Sequence, residues 1–439
     1  MVSSGGLLSA RATFNESHGN ADHGRGHSTP RAKRAATLVI RGLELITEGP
    51  FARATVTNFV FMSSLSCFIL LPLYVHRLGG TDAAIGLVQG VYSAAGIVCQ
   101  PVIGLWLDRV GRRFFMILGA SLIIVSSAAF LVAHSLALLA ALRVVQGVGF
   151  SAFFVANYLH VVDLVPVERR GWALGIYGVS GFLGTALAPV AGEIIVNRLG
   201  FRWLFGLSVL LGGVAAWLVV TMRGIRRPSM GEGPGIGSLR SGLADVFRLH
   251  MALTFFFGLG TGVMFTFMPT FGEGLGVHSV SLFYTAYAIA AVGVRVGGGN
   301  LIDTRGRRDT IIPSMFVQAA AAGLLTAMAL LVRPHMTVPV VPFLFLAGLL
   351  AGGGHGFLYP ALAALLMDVT PEARRGGVVG IFSAVFIVGN ALGSIVFGYV
   401  AHGLGYGVMW SALTFLLAAG FLLSFRLGVG RAVTAPRAI

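Results

Sequence analysis

The sequence predicts an all-α membrane protein whose twelve transmembrane helices form two pseudo-symmetric six-helix bundles. Composition is the first reason: 56% of the 439 residues are hydrophobic and 11% are charged. With a mean hydropathy of +0.85, a soluble fold would need an implausible amount of interior, so the main solvent is lipid. Patterning is the second reason, because apolar runs able to cross roughly 30 Å of hydrocarbon occur twelve times. Duplication is the third. Gly104-Leu-Trp-Leu-Asp108-Arg109-Val-Gly111-Arg112-Arg113 returns 195 positions later as Gly299-Asn-Leu-Ile-Asp303-Thr-Arg305-Gly306-Arg307-Arg308.

Residues 1–53 carry Ser, Gly, His and Arg with little sustained hydrophobicity, and are expected to form a disordered cytoplasmic tail. They lack the apolar core and small-residue cleavage site of a secretory signal. The loose spacing of His18, His23 and His27 reads as solvated sequence, not a metal site. Six runs follow, at about 54–76, 83–104, 114–133, 136–162, 171–195 and 203–222, and make an N-terminal bundle over 54–222. Arg226, Arg227, Pro228 and the glycine-rich 231–237 mark a cytoplasmic linker over 223–250. Six more runs, at about 251–273, 279–302, 310–332, 339–366, 377–400 and 408–426, make a C-terminal bundle over 251–426, and 427–439 is a second cytoplasmic tail. With both termini cytoplasmic, that side holds 25 of the 31 basic residues; Arg77, Arg198, Arg202 and Arg333 lie opposite, and Arg143 and Arg295 lie within spans. This positive-inside bias fixes the topology expected of a multi-pass protein of the cell inner (plasma) membrane.

The duplication extends beyond the first hinge. Asp163-Leu-Val-Pro166-Val-Glu-Arg169-Arg170-Gly171 matches Asp368-Val-Thr-Pro371-Glu-Ala-Arg374-Arg375-Gly376 at a spacing of 205, and Gly147 and Gly149 match Gly352 and Gly354 at the same spacing. The shared pattern GxxxDxxGRR sets a carboxylate, a turn glycine and two guanidinium groups between spans, where the charges need water or partners. It resembles the motif between helices 2 and 3, and again 8 and 9, of the major facilitator superfamily of secondary transporters. The resemblance implies a gating role for Asp108, Arg109, Gly111, Arg112 and Arg113, and in the second copy for Asp303, Arg307 and Arg308. Thr304 replaces the residue corresponding to Arg109.

Helix 4 reads Arg143-Val-Val-Gln146-Gly147, which resembles the RxxQG motif of the same family. A span Arg is costly unless it meets a partner or a polar cavity. The 3.6-residue period puts Arg143, Gly147, Phe150, Phe154 and Asn157 on one face, which the resemblance implies lines a central cavity; the alternative is a structural Arg bonded to helix 1. Helix 5 carries Gly175, Gly184, Ala188, Pro189 and Gly192. This spacing resembles the helix-5 motif of drug and metabolite antiporters, and its small residues suit close helix packing. Helix 8 carries Arg295, and helix 10 carries His355 and Tyr359. These break the symmetry between the halves and join Asn58, Arg143 and Asn157 as substrate-cavity candidates. Arg295 has the alternative of reaching toward the cytoplasmic interface or Asp303, and His355 that of bonding a carbonyl.

Two inward arginines without a mid-span acid favour an anionic or zwitterionic substrate. None of the sixteen acids lies deep in a span, so Glu193, Glu273 and His355 are the proton-coupling candidates. Cys67 and Cys99 lie in apolar runs and read as packing residues, with no disulfide or metal site. No catalytic cluster and no GxxxxGK[ST] loop appears, and Lys33 is the sole lysine, which argues against an enzyme and against ATP-driven pumping. The basic residues are scattered through short loops, which argues against nucleic acid. The expected function is secondary transport by alternating access, as efflux of a small organic molecule with proton antiport. Uptake of a small anionic or neutral metabolite by symport or uniport is the alternative. The expected partners are a small-molecule substrate, the lipid bilayer and protons, and the expected protein is a monomer without cofactor or metal.

Overall fold

A computed structural model describes residues 49–166, 169–222, 247–277, 279–298, 301–332, 339–368, 370 and 375–428. The expected N-terminal tail before 49, most of the linker and the last eleven residues lie outside the described residues. Helix α1 is one span, Gly49–Arg77, tightened by a 3-10 turn at Cys67–Leu70 before Pro72. Its first described turns bury Phe51 and Ala54. The following helices are α2 Asp82–Val110, α3 Arg112–Phe130, α4 Leu136–Leu164, α5 Arg170–Arg198, α6 Phe201–Thr221, α7 Phe247–Gly274, α8 Ser281–Gly298, α9 Arg307–Leu331 and α10 Val340–Asp368. The segment Arg375–Ser424 is divided by Gly405 (φ 81°) into α11 and α12, and a one-turn helix, Leu301–Thr304, follows α8.

Among the described residues, ten helices are long and apolar enough to cross a membrane, with α11 and α12 counted together. The shorter α8, whose apolarity is diluted by Tyr284, Tyr287 and Arg295, is not one of them. Large apolar side chains such as Trp203, Leu210, Trp217, Phe415 and Leu422 are well exposed, as expected where lipid is the solvent.

Helix boundaries follow local chemistry. Thr81 caps α2 by accepting from Ala84 N–H (3.3 Å) and Ser135 caps α4 by accepting from Leu138 N–H (3.2 Å). The positive-φ glycines fall into pairs at equivalent connections of the two halves: Gly79 with Gly276, Gly111 with Gly306, and Gly200 with Gly405. Residues other than glycine are strained there, so the duplicated sequence folds into duplicated turns.

Packing repeats as well. A Cβ on Gly147 would meet Tyr92 O at 2.3 Å, and one on Gly352 would meet Tyr287 O at 2.0 Å. Gly149 packs on the Gly119 carbonyl, and Gly354 on that of Ser314. These small residues let α4 lie against α2 and α3, and α10 against α8 and α9, at backbone distance. The halves join through α2 against α11 and α5 against α8. Gly86 abuts the Ser394 carbonyl, Gly398 abuts the Asp82 carbonyl, and Thr285 Oγ1 donates to Ala186 O (3.3 Å).

These contacts fix which helix ends share a side. The C-terminal ends of α1, α5 and α7 and the N-terminal ends of α2, α8 and α12 come together, as His76 with Glu273, Glu193 with Ser281, and Asp82 with Tyr406. This is the sealed end. Both GxxxDxxGRR turns therefore lie together at the opposite, hinge end. At the sealed end one apolar cluster runs through both halves, from Phe68, Phe130 and Phe205 to Met264, Phe271 and Trp410. At the hinge end, Leu253, Ile311, Leu358, Leu366 and Phe382 form a separate cluster within the C-terminal half.

Candidate functional site

The hinge arginines are bonded inside their own halves. Arg112 pairs with Asp163 at the end of α4, and Arg307 Nε donates to Asp368 Oδ2 (3.1 Å) at the end of α10. Arg113 donates to Val220 O at the end of α6, and Arg308 donates to Phe425 O (3.4 Å) after α12. In each copy the first guanidinium thus holds the α4-type helix and the second satisfies a terminal carbonyl of the α6-type helix, where cations are favoured. Gly111 (φ 100°) and Gly306 (φ 95°) make the turns. Arg109 is exposed. The side chains of Asp108 and Asp303 lie outside the described residues.

Asn58 and Asn157 converge on α5. Asn58 Nδ2 donates to Ser180 Oγ (2.8 Å) and Tyr177 O (3.3 Å). Asn157 Nδ2 donates to Ala54 O and to the Tyr177 hydroxyl, both at 3.3 Å. Both are buried, so these amides fasten α1, α4 and α5 together. Gly184 packs on the α1 backbone at Ser63, Gly192 packs on Leu70 and Leu204, and Pro189 lies within α5. The packing expected of Gly175 is not seen, since a Cβ there would meet nothing within 4 Å.

Arg143 is 5% exposed. It donates to Gln146 Oε1 (2.9 Å) and Gln89 Oε1, and its guanidinium lies over the Tyr92 ring at 4.1 Å. Its hydrogen-bond partners among the described residues are amides, not helix 1 carbonyls. Next to it Tyr92 approaches Phe150 (5.9 Å), and Phe150 and Phe154 stack along α4 (5.2 Å), followed by Tyr158 (6.1 Å). Tyr158 is 37% exposed, yet lies within electrostatic reach of Tyr359 in the other half.

Arg295 of α8 reaches the other half. Its guanidinium lies over the Phe182 ring of α5 at 4.7 Å, beside Gly178. Gly178 is eight residues, about 12 Å of helix, from the hinge-end start of α5. His355 is ringed by Phe257 (4.8 Å), Tyr287 (5.6 Å), Phe182 (5.8 Å), Phe386 (6.2 Å) and Tyr359 (6.5 Å). Neither Arg295 Nε nor His355 Nδ1 has a hydrogen-bond partner, and among the described residues no carboxylate lies within ion-pair distance of Arg295. Sequence reasoning singled out the two cores of this cluster but missed Phe182, Phe257, Tyr287 and Phe386. Isolated aromatics in apolar runs carry no mark of which face they occupy.

Glu193 and Glu273 are at the sealed end and bridge the halves. Glu193 accepts from Ser281 Oγ and Ser281 N–H (3.4 Å), and Glu273 Oε2 is 3.5 Å from His76 Nδ1. A third bridge, not foreseen, runs from Thr270 through the Tyr406 hydroxyl (2.7 Å) to Asp82 Oδ1 (2.6 Å).

Comparison with known proteins agrees with this architecture. The staphylopine export protein of Staphylococcus aureus is 24% identical over 394 residues, covering 86% of this chain and 95% of that protein. The uncharacterized MFS-type transporter YhhS of Escherichia coli (strain K12) is 26% identical over 387 residues, covering 85% and 91%. Among solved structures, the nucleoside transporter NupG superposes with a TM-score of 0.69 at 15% identity, covering 87% of this chain and all of that one. The human organic anion transporter MFSD10 gives a TM-score of 0.60 at 18% identity, covering 86% of this chain and 100% of that one. The family model described as Major Facilitator Superfamily matches residues 54–344 and 251–437. With nearly the whole helical chain matched, in two duplicated halves that meet around an aromatic and basic seam, the protein belongs to the major facilitator superfamily of membrane transporters.

Proposed function

We propose that this chain exports a small organic molecule by alternating access, each half moving as a unit about the seam between them. The observation that carries the reading is the asymmetry of the interface. Acid–hydroxyl bridges, backbone-close glycines and a shared apolar cluster join the halves at the sealed end, whereas the ion pairs described at the hinge end, Arg112 with Asp163 and Arg307 with Asp368, each lie within one half. The basic residues favour a cytoplasmic hinge end, which makes this conformation inward-facing. Substrate would enter from the cytoplasm, meet Arg295, His355 and Tyr359 with Arg143 behind Tyr92, and leave when the sealed-end bridges part.

Export is favoured over uptake by the helix-5 pattern and by likeness to the staphylopine export protein along most of both chains. Proton coupling fits the position of Glu193, Glu273 and Asp82: protonating a carboxylate that bridges the halves weakens the bridge and favours opening. In their sealed-end setting these acids are better placed for coupling than His355, which lies in the aromatic ring. The test is flux in proteoliposomes of defined orientation under an imposed pH gradient. Counterflow accelerated by the gradient is expected for the native protein, and a gradient without effect on flux overturns the coupling. Asp108→Asn is expected to fold but transport poorly, and normal flux from that variant overturns its gating role.

A further inference from the structure

We infer that the side-chain cluster around Arg295 and His355 binds a planar aromatic anion. The inference rests on the transport reading and adds to it a substrate class. Its support is a juxtaposition: a guanidinium with no carboxylate within ion-pair distance among the described residues and an imidazole whose buried Nδ1 has no hydrogen-bond partner, set among five aromatic rings supplied by both halves.

Each part selects. A guanidinium presents a planar fork of donors that matches a carboxylate or similar oxyanion. Arg295 spends one face on Phe182, and its Nε has no hydrogen-bond partner among the described residues, which leaves the guanidinium a donor for a ligand. His355 Nδ1 adds a position for one further polar group, as donor or acceptor by tautomer. The rings around it lie with centroids 4.8 to 6.5 Å from the imidazole, the range in which aromatic faces and edges attract one another. A flat conjugated ring laid against this cluster meets edges and faces alike, whereas a saturated ring of equal size keeps only its hydrophobic contribution.

An aromatic box is equally a device for binding cations, and Arg295 decides between the two. A second cation about 5 Å from its charge is disfavoured roughly a hundredfold or more at an effective dielectric near 20, and the Phe182 face is already used. Because Phe182 belongs to α5 and the other rings belong to α7, α8, α10 and α11, a ligand held here contacts both halves. It is therefore placed to bias their relative position.

The test compares four probes on the purified full-length protein by thermal shift and tryptophan quenching: 2-naphthoate, 2-naphthalenemethanol, 2-naphthylmethylammonium and decahydro-2-naphthoate. The naphthoate is expected to bind about tenfold or more tightly than the alcohol and the ammonium, the size of a charge-assisted hydrogen bond. It is expected to exceed its saturated analogue about three- to tenfold. Arg295→Gln should erase the preference for carboxylate over alcohol, and Phe182→Leu should reduce the preference for aromatic over saturated while keeping that for the anion. Equal binding of the alcohol or the ammonium, equal binding of the saturated acid, or no binding of naphthoate at millimolar concentration overturns the inference. Proteoliposome flux separates it from the transport reading. Naphthoate binding with no flux of any kind refutes transport alone, and flux of a solute with which naphthoate does not compete refutes the substrate class alone.

Discussion

Replacing Gly86 by alanine should open the sealed end. A Cβ on this residue would lie 2.3 Å from the Ser394 carbonyl oxygen and 3.0 Å from Gly398 Cα. Both are backbone atoms of α11, so no side chain can swing aside, and α2 must withdraw by about 1 Å to reach ordinary contact distance. Withdrawal also strains the Ser93–Asn390 hydrogen bond (2.9 Å) on the same pair of helices. Overpacking costs about 1–3 kcal/mol and a weakened hydrogen bond about 1 more, so the closed arrangement loses about 2–4 kcal/mol. That is roughly a 30- to 700-fold shift in the closed-to-open ratio, and it applies only to the conformation in which this end is shut. A protein closed at about 100 to 1 would then populate both conformations visibly. Spin labels at Leu199→Cys and Leu404→Cys, equivalent exposed positions of the two halves at this end, report the separation in a background without Cys67 and Cys99. A new long-distance population is expected. Gly104→Ala, where a Cβ meets nothing within 4 Å, is the control. An unchanged distance distribution in folded Gly86→Ala protein, or the same shift in the control, would refute the argument.

Three further outcomes are expected. Tyr406→Phe removes the hydroxyl shared by Asp82 and Thr270 and should weaken the sealed end by about 1–2 kcal/mol, broadening the same distance distribution; a distribution and melting temperature equal to the native ones would count against the bridge. Exchanging the charges of Arg112 and Asp163 should restore part of the stability lost in either single change, with a coupling of about 1 kcal/mol for a partly exposed pair; strictly additive effects in denaturation of the four proteins would show that the pair is not coupled. Asn157→Ala should cost about 1–2 kcal/mol of stability and leave substrate affinity within about twofold of native, because its amide nitrogen donates to Ala54 and Tyr177; lost affinity at native stability would return Asn157 to the cavity wall.

The sequence by itself determined the membrane class, the duplication and the hinge. A bilayer leaves backbone polar groups no partner outside the helix, so span length and hydrophobicity translate directly into helices. Gly111 and Gly306, and Arg112 and Arg307 with Asp163 and Asp368, are local or repeated in sequence, and their geometry repeats accordingly. What only the tertiary structure decided is how side chains 100 or more residues apart divide their work. Asn58 and Arg295 look alike in sequence, as polar residues within apolar runs. One finds Ser180 and Tyr177 and becomes a fastening, while the other lies over Phe182 of the opposite half with its Nε unpartnered among the described residues. The three acid bridges at the sealed end were hidden for the same reason: Asp82 and Tyr406 are separated by 324 positions. Helical periodicity states which residues share a face, and only the packing of one half on the other states what that face meets.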